Sequence, residues 1–256
     1  MKVSIITVSF NSAKTIADTI ESVLNQDFPD IEYIIVDGHS SDGTVNVIRQ
    51  YEDRISKWIS EKDQGMYDAM NKGIAMATGD VIGILNSDDV YINQHVVSDL
   101  INLLEKQNAQ VVFADLILVD QENRNRVLRY YDSSHFHPKK FRYGWMPAHP
   151  TVFVRRELYQ AVGPFAIDYQ IAADYEMLIR MLAIHKAPYA YLAKPVVRMR
   201  AGGASTSGIS RNWILNREIV RACKANGIYS NMAMLMLKIP AKLLGRIFVK
   251  QKSKLY

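Results

Sequence analysis

Three observations predict an α/β fold built on a mostly parallel, Rossmann-like sheet flanked by helices. β-Branched runs alternate with amphipathic helical stretches from residue 3 to about residue 113. The runs close on polar turns rich in Asp, Ser, Asn and Gly. One of them, Val81 to Leu85, ends in the adjacent carboxylates Asp88 and Asp89. In doubly wound sheets ligands collect at the carboxyl ends of the strands, so Asp37, Asp63 and Asp88-Asp89 should converge on one edge.

Taken in order, Val3 to Val8 reads as a central strand because its residues are β-branched and apolar. Phe10-Asn11-Ser12 is a turn in which Asn11 or Ser12 can cap the next helix. Ile16, Ile20, Val23 and Leu24 give that helix one core face. Ile31 to Val36 is the second strand. Val45, Ile48 and Tyr51 suggest a helix, Ile55 to Ile59 a short third strand, and Met66 to Ala77 a helix stopped by Gly79. A helix is expected to start near Asn93. Val111 to Val119 and Val127 to Tyr131 look like strands joined by a polar turn. Ala172 to His185 is helical with Leu178, Met181 and Leu182 inward, and a further helix is expected from Arg211 to Asn226, with Gly227 as its stop.

At 256 residues the chain fits one sizeable domain with an appendage. It divides into residues 1–210, with halves 1–113 and 114–210, and C-terminal helices over 211–256. A composition of 48% hydrophobic and 22% charged residues suits a globular protein with a real core. The single cysteine, Cys223, excludes an internal disulfide and a cysteine-rich metal site. The first strand starts directly after Met1-Lys2, so no leader is expected, and no apolar run approaches the about 20 residues that span a bilayer. The net charge of +5 does not point to nucleic acid, because the acidic residues cluster where a ligand would sit.

Two adjacent anions at a strand end repel each other unless a cation lies between them and a ligand. Hard carboxylate oxygens suit Mg2+ or Mn2+ bridging to a phosphate. A solvated turn that caps the following helix would explain the pair equally well. Asp37 in a Ser- and Gly-containing turn can accept a base N–H or a ribose hydroxyl, as acidic residues do in dinucleotide folds; a helix cap by Ser41 or Asp42, with Asp37 merely exposed, is the alternative.

Five motifs occur in one order: Val3-Ser4-Ile5-Ile6-Thr7-Val8-Ser9-Phe10-Asn11, Val36-Asp37-Gly38-His39-Ser40-Ser41-Asp42-Gly43-Thr44, Asp63-Gln64-Gly65-Met66-Tyr67-Asp68-Ala69-Met70-Asn71-Lys72-Gly73, Ala77-Thr78-Gly79-Asp80 and Asn86-Ser87-Asp88-Asp89. Together they resemble the family-2 glycosyltransferases, nucleotide-sugar enzymes of the GT-A fold, over nearly all of residues 1–200. The resemblance implies an inverting hexosyl- or N-acetylhexosaminyl-transferase. Phe10, beside Ser9, would stack on the nucleobase, Asp37 would hold its N–H edge and Asp63 would line the same pocket. Asp88 would contact the ribose and Asp89 the metal. Ala173-Asp174-Tyr175-Glu176 is similar to the acidic motif that holds the general base, which maps to Asp174. His149 and Glu176 would lie near acceptor or donor phosphates. The usual Asp-x-Asp reads Ser87-Asp88-Asp89, a departure that bears on how tightly metal binds without nucleotide.

Inverting sugar transfer needs a base for the acceptor hydroxyl and charge neutralisation for the departing diphosphate. A cation on Asp89 would supply the second and Asp174, at a helix start, the first. The helix dipole favours ionised Asp174, and the neighbouring charge of Glu176 is expected to oppose it. An ordinary helix start explains both acids without chemistry. Arg200, in Arg198 to Ser205, could fold over a diphosphate or simply lead out of the domain. From Met232 to Val249, Lys238, Lys242, Arg246 and Lys250 recur every four residues, a basic amphipathic pattern interrupted at Pro240. It suits peripheral contact of 232–250 with anionic lipid on the inner face of the cytoplasmic membrane; a helix packed on the domain with its lysines in water is the alternative. The resulting expectation is a cytoplasmic enzyme that moves a sugar, in all expectation from a UDP-linked donor, to a saccharide acceptor of the surface-polysaccharide kind, an acceptor that a lipid could carry. The rivals are a sugar nucleotidyltransferase, which lacks its Gly- and Arg-rich loop here, and a binding protein without turnover, for which Ser87 is the best support.

Overall fold

The computed structural model describes residues 1–121, 123, 125–202 and 209–237. Four strands, β1 (Val3–Ser9), β2 (Ile31–Asp37), β3 (Lys57–Ser60) and β4 (Val81–Ile84), pair in parallel in the order β3-β2-β1-β4. β1 is buried along its whole length, as a strand covered on both faces must be. The connections are helices α1 (Ile16–Leu24), α2 (Thr44–Arg49) and α3 (Met66–Met76).

Side-chain alternation along the strands decides which helix covers which face. Ile6 and Val8 of β1 and Ile34 and Val36 of β2 meet Tyr67 and Met70 of α3. Ile5 and Ile35 point the other way, onto Ile16, Ile20 and Val23 of α1. α3 lies so close to β1 that a Cβ on Gly73 would come within 2.4 Å of Ile6 Cγ2. Glycine in mid-helix costs stability, and here the close packing requires it.

The chain continues through β5 (Val90–Tyr91), α4 (Val96–Lys106), β6 (Val111–Val119), β7 (Val127–Tyr131), β8 (Phe153–Arg155) and α5 (Arg156–Val162). Next come α6 (Ala173–Ile179), which widens into a π-helical turn over Arg180–Ile184, then β9 (Tyr189–Arg200), α7 (Ile209–Ala225) and α8 (Met232–Met236). The full sheet runs β3-β2-β1-β4-β8-β6-β9-β5, with β7 on β6. β8 is antiparallel to β4 and β6, whereas β6 and β9 are parallel, so the sheet is mixed.

Several expected boundaries move. Neither Asn11 nor Ser12 caps α1, whose N-cap is Thr15 without a side-chain bond. The third strand starts at Lys57 rather than Ile55, because the 3-10 turn Glu52–Arg54 delays the chain. The helix expected near Asn93 begins at Val96. The divide placed at residues 113 and 114 falls inside β6, and one sheet takes strands from both sides of it. The divide at 210 falls in the first turn of α7. From Lys238 onward the basic tail lies outside the described residues, and among those described no helix is long and apolar enough to cross a membrane.

Candidate active site

Register builds the first part of the site. Asp37, the last residue of β2, pairs with Ser9 of β1 on one side and Ser60 of β3 on the other. Neighbours in register present side chains on the same face, so both hydroxyls reach the carboxylate. Ser9 Oγ donates to Oδ1 at 3.0 Å and Ser60 Oγ to Oδ2 at 2.7 Å. Ser40 adds its Oγ to Oδ1 at 2.5 Å and its backbone N–H to Oδ2 at 2.9 Å. Asp37 is 0% exposed. It is therefore a buried hub that ties three strand ends together, not the exposed turn residue of the alternative reading.

The accessible carboxylate beside it is Asp63. Asp63 Oδ1 accepts the Gly65 N–H at 2.9 Å. Its Oδ2 lies where a Cβ on Gly38 would stand, 2.5 Å away, and the Phe10 ring is 3.4 Å from the same point. Phe10 is 64% exposed, a large apolar ring left in water next to a half-buried carboxylate. Such an aromatic face with an acceptor at its edge suits a flat heterocycle.

The loops after β1 and β2 are laced into one shelf. Asn11 and His39 both adopt positive φ, at +50° and +64°. Strained backbone of this kind persists only where the surroundings hold it. Asn11 N–H donates to Ser40 Oγ at 2.8 Å, and Asn11 Oδ1 accepts from Ser41 N–H at 3.0 Å. Ser12 N–H donates to Thr44 Oγ1 at 2.7 Å, while Ser12 Oγ lies 2.8 Å from Ser87 Oγ. That last contact joins the shelf to the turn after β4 and employs Ser87 in holding the loop.

Asp88 and Asp89 follow. Thr19 Oγ1 donates to the Asp89 carbonyl at 2.8 Å and so anchors the turn to α1. The Asp89 side chain is 0% exposed, and its Oδ1 has no hydrogen-bond partner. Asn86 is adjacent, with Nδ2 3.3 Å from Asp89 Oδ2, and its Oδ1 is likewise buried and unpartnered. Burial, and then the charge of half-buried Asp88, pushes the Asp89 carboxyl well above its ordinary range. Burial also raises Asp88, against the pull of Arg200. Two neighbouring buried oxygens that only accept, beside a second carboxylate, form a donor set for a hard cation. Among the described residues no group of three or more His, Cys, Asp or Glu side chains gathers to hold an ion. A cation here would thus draw further ligands from water and a bound phosphate, the usual arrangement for Mg2+.

Arg200, at the end of β9, donates from Nε to the Asp88 carbonyl at 3.2 Å and pairs through Nη2 with Asp18 of α1. It thus borders the cation site. The Gly203–Ser205 part of the expected strap lies outside the described residues.

Asp174 sits in the first turn of α6, half-buried, with Oδ1 accepting its own neighbour's N–H, that of Tyr175, at 2.8 Å. Tyr67 brings it to the site. This residue lies one turn beyond Asp63, at the start of α3, and its hydroxyl donates to the Ile171 carbonyl with Asp174 Oδ1 at 3.4 Å. Since α3 begins at the carboxyl edge of the sheet, just after Asp63, the Tyr67 contact turns Asp174 toward that edge. Burial raises the Asp174 carboxyl above its usual range, and His149 opposes that. Burial lowers His149, and Asp174 opposes that in turn. The charge expected to act against Asp174, that of Glu176, is occupied elsewhere. Arg180 Nε donates to both Glu176 oxygens at 2.9 Å, and Asn226 Nδ2 donates to Oε1 at 3.1 Å. Tyr67 and Ser60 had no local sequence signal, because each acts on a carboxylate of another element.

A family model described as Glycosyl transferase family 2 matches residues 4–163. An uncharacterized glycosyltransferase of Mycobacterium tuberculosis is 33% identical over 180 residues, 70% of this chain and 68% of that protein. Among solved structures, S. aureus TarS superposes with a TM-score of 0.66 at 21% identity, over 86% of this chain but only 39% of TarS. A fragment of it, residues 1–349, was crystallised with UDP-GlcNAc. Glucosyl-3-phosphoglycerate synthase from Mycobacterium tuberculosis, in complex with Mn2+, UDP and phosphoglyceric acid, gives 0.64 at 17% identity over 90% of this chain and 80% of its own. These neighbours are GT-A glycosyltransferases, and the fold described above is theirs.

Proposed function

Because the chain belongs to glycosyl transferase family 2, we propose that it moves a sugar from a UDP-linked donor to a saccharide hydroxyl with inversion. The observation that carries this is the pair of buried, unpartnered oxygens, Asn86 Oδ1 and Asp89 Oδ1, beside Asp88 and linked through the Ser12–Ser87 contact to the Phe10 shelf. On this reading Phe10 stacks on the uracil and Asp63 Oδ2 accepts its N–H, while the Asp37 hub holds the shelf in shape. Asp88 meets the ribose, and Asp89, with Asn86, would hold Mn2+ or Mg2+. Such a cation would supply neutralisation of the charge that the departing diphosphate gains. The relatives crystallised with UDP-GlcNAc, or with UDP and Mn2+, lend support to the donor and the ion.

Asp174 takes the proton of the acceptor hydroxyl. The hydroxyl oxygen then bonds to the anomeric carbon as the carbon–oxygen bond to the diphosphate breaks, and the electron pair leaves with the diphosphate. One displacement of this kind inverts the anomeric centre. His149, where it is protonated, opposes the rise of the Asp174 carboxyl, and Arg200 screens the acidic pair. A site in assembly of a surface polysaccharide, at the inner face of the cytoplasmic membrane, suits the basic pattern of residues 238–250. Vesicles of anionic lipid should therefore sediment with the full chain and not with a chain ended after Ile228.

The enzyme test is release of nucleotide from a panel of UDP- and GDP-sugars with Mn2+, then with a chelator in excess. Release of UDP that stops on chelation is the expected result. Release unaffected by chelation would refute the cation site, and no release from any donor with acceptor-rich extract added would favour a binding protein without turnover.

A further inference from the structure

The buried carboxylate of Glu218 has no part in the chemistry above, yet its hydrogen bonds converge on the segment that presents Asp174. Glu218 lies on α7, well past the residues matched by the family model, and is 8% exposed. Its Oε1 accepts the Gln170 N–H at 2.7 Å. Its Oε2 accepts the N–H groups of Ile171 and Ala172, each at 2.9 Å. Three consecutive backbone donors thus close on one side chain immediately before α6, whose first residues are Ala173 and Asp174.

A second residue of α7 holds the same strap: Arg221 packs its guanidinium 4.2 Å from the Tyr169 ring centre and pairs with Asp168. From the opposite side Tyr67 of α3 donates to the Ile171 carbonyl. The Ile171 residue is therefore pinned at its N–H by Glu218 and at its carbonyl by Tyr67, and Tyr67 also reaches Asp174. Charge-assisted bonds to a buried carboxylate are among the stronger ones, and they fix the strap's direction as well as its place.

We infer that Glu218 is a positioning residue: by clamping residues 170–172 it sets the rotation of the first turn of α6 and hence where Asp174 stands relative to the acceptor hydroxyl. The inference rests on the reading of Asp174 as general base. It also makes α7 part of the machinery of the site rather than an appendage. Displacement of a reacting group by about 1 Å is enough to cost on the order of 100-fold in rate.

The test uses the full chain, Mn2+ and whichever UDP-sugar of the panel gives the fastest UDP release. Glu218→Gln keeps the size of the side chain but turns one acceptor into a donor facing N–H groups. Its kcat should fall about 10- to 100-fold with donor KM within twofold of wild type, and Glu218→Asp should recover part of the loss. Tyr67→Phe, which releases the strap from the other side, should show the same split between kcat and KM. Amide exchange in residues 168–175 should accelerate in Glu218→Gln while the amides of β1 keep their protection. In an Asp174→Asn background Glu218→Gln should cause no further loss. Wild-type kcat per folded molecule in both Glu218→Gln and Tyr67→Phe would overturn the inference, as would an undiminished loss in the Asp174→Asn background. If Asp174→Asn alone keeps its turnover, the base assignment fails, and unchanged exchange at 168–175 would independently dismiss the clamp.

Discussion

Replacing Asp174 by Asn separates proton transfer from everything else at the site. An amide fits the same space and can still accept the Tyr175 N–H that Asp174 Oδ1 now accepts at 2.8 Å, so the first turn of α6 should keep its geometry. What is lost is a group able to take a proton. A positioned base contributes about 100- to 10,000-fold in rate, which corresponds to about 3 to 5 kcal/mol of barrier. The donor shelf is built from the ends of β1, β2 and β4, by Phe10, Asp63, Asp88 and Asp89, and no hydrogen bond of that shelf runs through the Asp174 carboxylate except by way of Tyr67. Turnover in Asp174→Asn should therefore drop by that factor while UDP binding, titrated by calorimetry with Mn2+ present, stays within twofold. Weakened UDP binding would contradict the separation of the two functions, and turnover within threefold of wild type would remove Asp174 from the reaction.

Other outcomes follow from the same geometry. The Asp174 carboxyl is raised by burial and must be ionised to act, so activity is present above its pKa and lost as pH falls through it. Protonated His149 opposes the rise; His149→Gln should move the acidic limb of the kcat profile to higher pH, and a limb moving to lower pH would reverse the assigned interaction. Gly38→Ala puts a Cβ 2.5 Å from Asp63 Oδ2 at a position without positive φ. Asp63 must turn away, so donor KM should rise about tenfold, the worth of one charge-assisted hydrogen bond, with the thermal midpoint nearly unchanged; unaltered KM would show that Asp63 does not meet the donor. Glu176→Ala leaves Arg180 without its carboxylate but with the carbonyls of Val162, Gly163 and Pro164. Stability should fall by about 2 to 4 kcal/mol in denaturant melts, with kcat per folded molecule intact. A fall in kcat at wild-type stability would instead return Glu176 to the acceptor site.

What the sequence disclosed and what it withheld divide along a physical line. The β-branched runs and the helical spacing of Ile16, Ile20 and Val23 are local, and β1, β2, β4 and α1 lie close to where those patterns put them. The carboxylates at strand ends were equally readable, since parallel strands that alternate with helices must bring their carboxyl ends to one edge. The surroundings of Asp37 could not be read, because they come from Ser9, 28 residues earlier, and Ser60, 23 residues later, through register that no local pattern reveals. The same holds for Asp174. From its own neighbours, Glu176 looked like the charge that would govern it. In the fold Arg180 neutralises Glu176, and the groups that act on Asp174 are His149, Tyr67 and the burial between them. Hydrogen-bond partners on other elements, 107 residues away in the case of Tyr67 and Asp174, decide whether a carboxylate serves as a hub, a ligand or a base. Residue type and spacing could place four acids on one edge; only the donors around each could divide the work among them.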